Sequence, residues 1–285
     1  MQVEDLPAVQ ALEARTARAD ARNPVFFRYA LERTPHACSI IDDGGTAIGF
    51  CFTSETASVG ALTLLLTPVG AATHACSLAL IREATEALTS RCQCCLTHAS
   101  SDAYEQCALL IQAGFHAVEP QYVLRAPSNP PRHDTARTRL PQQVAWSDVW
   151  AVAPQMAACQ QAGFGTHVTV TGAAGVCGAA LVEFTARRHG GGQTSALVSA
   201  GGAVRSLGAG PLLALLESAR MAAHAGGRSQ FFITLNGFYQ RELAALLDDG
   251  WGIVRVLQRF ILSTTLARYR QLQMQPAVDL GYWQL

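Results

Sequence analysis

What the sequence lacks excludes several classes of protein. Its 285 residues carry no excess of charge, because 21 basic residues balance 21 acidic ones. A protein that binds nucleic acid or an anionic membrane would normally show a basic excess. No apolar run approaches the roughly 18 residues that a membrane span requires, and the first residues do not form a basic segment followed by an apolar core, as a secretory signal would. We therefore expect a cytoplasmic protein with no nucleic-acid or membrane partner.

The cysteine pattern does not indicate a disulfide framework or a metal site. The nine cysteines are an odd number and lie mostly in apolar runs. In a reducing compartment such residues behave as small buried hydrophobes. The cluster Cys92-Gln-Cys94-Cys95 lacks zinc-ligand spacing, and alternate residues of a strand face opposite sides. We therefore interpret the cysteines as structural and expect no metal.

Apolar periodicity and glycine turns predict the same order of elements in each half of the chain. In the first half, a helix precedes a two-stranded hairpin that turns at Asp43-Gly44, and then come strand, helix, strand, helix and a last strand at 121–125. The helix after the third strand is expected at 76–89. The second half repeats this order and is expected to end with a final strand at 254–262. Such an order is typical of an α+β fold on a mixed sheet.

The two halves align with each other. Gly114-Phe115 corresponds to Gly250-Trp251 at an offset of about 136 residues, which indicates a duplicated domain. Residues 127–139 contain three prolines and no apolar periodicity, as expected of a linker. We predict one domain at 1–126 and a second at 140–285. Two unrelated α+β units with similar endings are the alternative.

A glycine-rich turn lies between a predicted strand and a predicted helix of the second half. The first turn of a helix has unpaired N–H groups and a partial positive charge, so it can hold a pyrophosphate without a lysine. Glycines let such a ligand approach the backbone, and a proline suits the start of a helix. A capping turn with no ligand is the alternative interpretation. The turn consists of Arg205, Ser206, Leu207, Gly208, Ala209, Gly210 and Pro211.

The pattern Arg205-x-x-Gly208-x-Gly210 resembles the acyl-CoA pyrophosphate loop of the GCN5-related N-acetyltransferases, and the order of elements resembles two such domains in tandem. The resemblance implies acetyl-CoA, or another short acyl-CoA, as cofactor. It implies transfer of the acyl group to an amine of a small molecule or a peptide. It also implies cofactor contacts from the whole turn, 205–211, and from the backbone of the preceding strand at Val198, Ser199 and Ala200.

Only the second half keeps the loop. At an offset of about 134 residues, Gly208 and Gly210 correspond to His74 and Cys76, so both glycines are replaced by bulkier residues. We therefore predict that the first domain is a degenerate copy and that the acyl-CoA binds to the second domain alone.

The residues that would catalyse the transfer are less clearly marked. Acyl transfer to an amine needs one group that takes the proton of the amine and another that protonates the leaving thiolate. The family often has a tyrosine acid four residues before the Gly-aromatic pair, but here that position is Leu246. Tyr239 is the nearest substitute; the alternative is a buried aromatic at a helix start. Glu183, inside an apolar strand, is the candidate base, although it could equally point to solvent.

Two questions stay open in the sequence. Because the usual acid is missing, a non-catalytic CoA-binding or scaffold protein of the same fold is the alternative function. The segment 271–285 contains Tyr282 and Trp283, which could contact another subunit in a homodimer or dock on their own domain.

Overall fold

The computed structural model describes residues 3–16, 38–44, 46–56, 59–66, 71–128, 165–172, 175–184, 195–205, 208–273 and 277–280. These residues contain six α-helices and twelve β-strands, and the strands form one mixed sheet. No helix among them is long and apolar enough to cross a membrane.

The described part of the first half follows the predicted order, with boundaries that differ by a few residues and one strand that was not predicted. Helix α2 begins at Ala71 and not at residue 76, so His74 and Cys76 lie inside the helix. The unpredicted strand, β5, has three residues, which is too short to show a period. The elements are α1 Leu6–Thr16, β1 Cys38–Asp43, β2 Thr46–Thr56, β3 Val59–Leu66, α2 Ala71–Thr89, β4 Cys94–Ser100, α3 Tyr104–Gln112, β5 Phe115–Ala117 and β6 Gln121–Arg125.

From residue 165 onwards the described part of the second half also follows the predicted order, but the prediction that its last strand ends the fold is wrong. The helix predicted before the hairpin lies outside the described residues. A helix and a four-residue strand come after that strand. The helix buries few side chains and the strand is short, so neither produces a clear apolar pattern in the sequence. The elements are β7 Gly165–Gly172, β8 Gly175–Glu183, β9 Ser195–Val204, α4 Gly210–Ala225, β10 Gln230–Asn236, α5 Gln240–Asp248, β11 Gly252–Leu262, α6 Leu266–Gln273 and β12 Ala277–Leu280.

The two halves exchange the strands that close their sheets. Strand β6 of the first half pairs antiparallel with β10 and β11 of the second half. Strand β11 of the second half pairs antiparallel with β4 of the first half. The sheet therefore runs without a break in the order β1-β2-β3-β4-β11-β6-β10-β12-β9-β8-β7.

The exchange extends to the hydrophobic cores. Leu124 belongs to the first half but is fully buried in the core of the second half, where it joins Leu215, Ile233 and Trp251. Phe260 belongs to the second half but is buried in the core of the first half. Because each core includes a side chain from the other half, unfolding of one half exposes apolar surface in both.

Most of the described cysteines are buried like small hydrophobes, and Cys76 and Cys107 are half-buried. All eight described cysteines are free thiols. Cys94 and Cys95 belong to different clusters on the two faces of β4, as strand alternation predicts. Burial raises the pKa of the Cys38 thiol to about 12 and that of the Cys94 thiol to about 11. These thiols therefore stay protonated at neutral pH, which agrees with a structural role.

Some predictions lie outside the described residues. Residues 129–139 of the predicted linker are among these, so the domain boundaries stay predictions. The same is true of Ser206, Leu207, Tyr282 and Trp283.

The strand exchange predicts the effect of truncating one side chain. Substitution of Leu124 by alanine should lower the free energy of unfolding by about 3 kcal/mol, because it opens a cavity in the second-half core. Ile111→Ala is the matched control: its side chain is 58% exposed, and its loss should cost well under 1 kcal/mol. Urea unfolding followed by circular dichroism and tryptophan fluorescence measures both. Two separate transitions, with only one shifted by Leu124→Ala, would contradict the exchange.

Candidate functional site

The glycine turn between β9 and α4 requires a glycine at position 208. Gly208 has a φ of 80°, a left-handed conformation that side chains other than glycine rarely adopt. A Cβ atom there would lie 2.6 Å from the Nη2 atom of Arg241. The Gly208 N–H donates to the carbonyl oxygen of Arg205 at 2.9 Å and closes the turn. The turn therefore brings the guanidinium group of Arg241, from the first turn of α5, against the loop.

The start of α4 has space around Gly210 among the described residues. Pro211 lies in the first turn, and the N-cap residue Ala209 makes no side-chain cap hydrogen bond. A Cβ atom on Gly210 would meet no atom of the described residues within 4 Å. The N–H groups of the first turn have no partner inside the helix. Free space, a helix start and a nearby guanidinium group are together suitable for an anion.

Arg205 does not face this space. Its Nε atom donates to Oε1 of Glu242 at 3.1 Å, and its guanidinium carbon lies 5.0 Å from the ring centroid of Tyr239 and 5.4 Å from that of Phe238. The Glu242 side chain is only 1% exposed, whereas that of Arg205 is 29% exposed. The side chain of Arg205 thus fastens the end of β9 to α5, while the neighbouring Arg241 lies beside the loop.

Strands β9 and β10 separate next to the loop. Among the described residues, they pair in parallel only where Ser195, Ala196 and Leu197 face residues 230–232. On its other edge β9 stays paired with β8 as far as Ala203. Beyond Leu197, β9 and β10 therefore border an opening in the sheet. The backbone of Val198, Ser199 and Ala200 lies at the narrow end of this opening, and the glycine turn lies at its wide end.

Strand β12 occupies part of that opening. It runs antiparallel to β9, with Ala277 opposite Val204 and Leu280 opposite Gly201. Leu280 also faces Leu235 of β10. The strand therefore starts beside the glycine turn and runs along the β9 edge towards the narrow end of the opening.

The structure does not bring Glu183 and Tyr239 together. Tyr239 is 5% exposed and packs in the second-half core with Val198. Glu183 is half-buried at the end of β8 and lies opposite Leu197. Leu197 packs with Val123 in a separate cluster, on the other face of the sheet. Glu183 and Tyr239 therefore extend from opposite faces.

The first half forms one wall beside Tyr239. The turn after β10 contains Gly237, whose N–H donates to the carbonyl oxygen of Pro120 at 2.6 Å. A Cβ atom on Gly237 would lie 2.8 Å from the same oxygen, so only glycine fits. Asn236 Oδ1 accepts from the N–H of Phe238, and its Nδ2 donates to the hydroxyl group of Tyr269 at 2.9 Å. The β5–β6 connection, the end of β10 and α6 thus meet beside Tyr239.

Leu246 and His74, which stand where the family pattern has functional residues, make structural contacts. Leu246, at the position where the family often has its acid, is completely buried in the second-half core. His74, the counterpart of Gly208 in the first half, lies in the first turn of α2 and hydrogen-bonds to Gln112 at 2.8 Å. Arg241, Glu242 and β12 were not identified from the sequence, because only the packing of α5 and β12 brings them to the loop.

Comparison with known proteins identifies the fold. No protein-family model matches the sequence, and no curated protein matches it at a significant level. Solved structures match over almost the whole chain. A candidate acetyltransferase of Pyrococcus horikoshii is 13% identical with a TM-score of 0.65, and the match covers 92% of this chain and 87% of that one. A tandem GCN5-related N-acetyltransferase (GNAT) protein of the clavulanic acid biosynthesis pathway is 14% identical with a TM-score of 0.62, covering 90% and 94%.

A third structure extends the same pattern. A GCN5-related N-acetyltransferase of Sphaerobacter thermophilus is 13% identical with a TM-score of 0.59, and the match covers 90% of this chain and 92% of that one. At these identities the similarity shows the fold. The predicted α+β fold with two tandem GNAT-like domains on a mixed sheet is therefore confirmed.

The ion pair between Arg205 and Glu242 can be tested by a double-mutant cycle. Arg205→Met should lower the free energy of unfolding by about 2 kcal/mol, because it leaves the buried carboxylate of Glu242 without its cation. The other carboxylate oxygen of Glu242, Oε2, has no hydrogen-bond partner among the described residues. Adding Glu242→Gln removes the buried charge and should recover most of the loss. Thermal and urea unfolding measure the cycle, and additive effects of the two changes would contradict the pairing.

Proposed function

We propose that this protein is an acyl-CoA-dependent N-acetyltransferase. The second half binds acetyl-CoA, or a somewhat longer acyl-CoA, and transfers the acyl group to an amine of a small molecule or a peptide in the cytoplasm. The observation that carries the proposal is the open glycine turn at the start of α4, next to the separating strands β9 and β10, in a tandem GNAT fold.

The residues present fit the phosphate end of such a cofactor. The left-handed turn at Gly208 and the free space at Gly210 let a diphosphate approach the backbone at the start of α4. Arg241 would add a positive charge at the same place. The pantetheine arm would lie along β9, with Val198, Ser199 and Ala200 as its backbone contacts. When bound, the cofactor supplies an activated thioester to the acceptor amine.

The two candidate catalytic residues lie on opposite faces of the sheet. Tyr239 lies at the turn that Pro120 and α6 enclose, so its hydroxyl is the proposed proton donor to the leaving thiolate. Glu183 remains the proposed base, although it extends from the other face of the sheet. The acid and the base would therefore not contact each other. Positioning of the amine next to the thioester would account for much of the rate of acyl transfer. The first half would act as the degenerate copy, which binds no cofactor and supports the wall at Gly237.

Substitutions at Gly210 test cofactor binding without disturbing the fold. Gly210→Glu should bind acetyl-CoA at least about thirtyfold more weakly, because a carboxylate in the free space repels the diphosphate. An acidic residue in the first turn of a helix is itself favourable, so the protein should stay folded. Gly210→Gln is the matched control of equal size without the charge, and should bind more tightly than Gly210→Glu. Isothermal calorimetry measures all three affinities, and equal values would contradict the site.

Turnover tests the catalytic roles. Release of free thiol from acetyl-CoA is followed against a panel of small-molecule amines and peptides with free amino termini. Because all 21 basic residues are arginine, acetylation of lysine side chains of the protein itself cannot contribute to the signal. Tyr239→Phe should lower kcat by about tenfold to a hundredfold and leave the affinity for acetyl-CoA unchanged. Glu183→Gln is tested in the same way, and an unchanged kcat in either variant removes that residue from the mechanism.

The alternative is a non-catalytic CoA-binding or scaffold protein. The burial of Leu246 at the usual position of the acid favours it. Tight binding of acetyl-CoA together with thiol release no faster than the uncatalysed hydrolysis, for every amine tested, would support this alternative and contradict the enzyme.

A further inference from the structure

The edge of β9 that faces the opening already has a partner. Residues 201–203 of β9 pair with β8 on one side, and residues 201–204 pair with Ala277–Leu280 of β12 on the other. A strand has one row of N–H and C=O groups on each edge. While β12 is in place, neither edge of this part of β9 is available to another ligand.

The position and direction of β12 match the path proposed for the cofactor arm. Ala277 lies opposite Val204, next to the turn where the diphosphate would bind, and Leu280 lies opposite Gly201. From there Leu280 contacts β10 at Leu235, so that the strand bridges the two sides of the opening. To reach Val198, Ser199 and Ala200 from the same turn, the arm would have to run along the β9 edge at residues 201–204, which β12 covers. The strand and the arm would therefore need the same stretch of this edge.

The attachment of β12 is limited to a few groups. Its four described residues form four pairs with β9 and one pair with β10. Short strands with few pairings open at lower free energy than the rest of a sheet. The strand is therefore the part of this opening that a ligand can displace without unfolding either core.

We propose that the opening between β9 and β10 is a binding site for an extended peptide, that the chain's own β12 occupies it, and that β12 and the acyl-CoA arm bind in a mutually exclusive way. This inference rests on the proposed function. The apparent affinity for acetyl-CoA is then the intrinsic affinity multiplied by the fraction of molecules in which β12 has left the edge. Segment 277–280 is thus a competitive regulator of the site.

Two changes at adjacent positions weaken β12 without altering the proposed cofactor residues. Along an antiparallel strand, successive N–H groups point to opposite neighbours, so one of Val278 and Asp279 donates towards β9. The double substitution Val278→Pro with Asp279→Pro removes that donor. Val278→Ala with Asp279→Ala is the matched control, because it removes the same side chains and keeps both N–H groups. Calorimetry should show that the proline variant binds acetyl-CoA about tenfold more tightly than the alanine variant.

A second measurement uses the unaltered protein. Hydrogen exchange of residues 277–280 should accelerate at least about tenfold when acetyl-CoA is saturating, because the cofactor displaces the strand. A synthetic peptide of residues 274–285 should bind to a variant that ends at Gln273, and acetyl-CoA should compete with it.

The outcomes separate this inference from the proposed function. Tighter binding by the proline variant, together with faster exchange in the unaltered protein, supports both. Equal affinities of the proline and alanine variants, with exchange of 277–280 unchanged by bound acetyl-CoA, overturn the inference and leave the proposed function standing. If neither the unaltered protein nor any variant binds acetyl-CoA, both are overturned.

Discussion

The separation of β9 from β10 is the constraint on which the site depends. Three residue pairs join the two strands before they part. Beyond the separation, the N–H and C=O groups on this edge of β9 no longer pair with β10. Buried backbone groups must find partners. Whatever lies in the opening, whether peptide or cofactor, has to satisfy that row. The fold thus creates a place where a ligand with regularly spaced amide groups can complete a sheet.

The two arginines near the loop, Arg205 and Arg241, have different roles. Arg205 fastens the end of β9 to α5 through the buried carboxylate of Glu242. Arg241, on the same helix as that carboxylate, lies beside the turn at Gly208. A rigid connection between β9 and α5 keeps the second guanidinium group at a fixed distance from the turn. Arg205 therefore stabilises the packing of α5 that places Arg241 beside the turn.

The sequence could predict the features that are determined locally. The glycine turn lies between a strand and a helix, as the local pattern predicted, and the order of elements follows from apolar periodicity. Features that depend on distant parts of the chain could not be predicted. Arg241 is about 30 residues from the loop, and β12 about 70 residues from its partner on β9, so neither leaves a local signal. The exchange of β6 and β11 is also invisible in the sequence, because a strand has the same pattern whichever half it completes.

That exchange has a consequence for the origin of the chain. Two separate copies of a single domain that swapped their last strands would form a closed dimer with two equivalent crossings. Fusion of those copies end to end would produce the reciprocal crossings of β6 and β11 seen here. After fusion, the covalent link keeps the two copies together. Each copy can therefore lose residues that the other retains. A sheet shared in this way explains how one half can diverge in its loops while its strands stay under the same packing constraints as before.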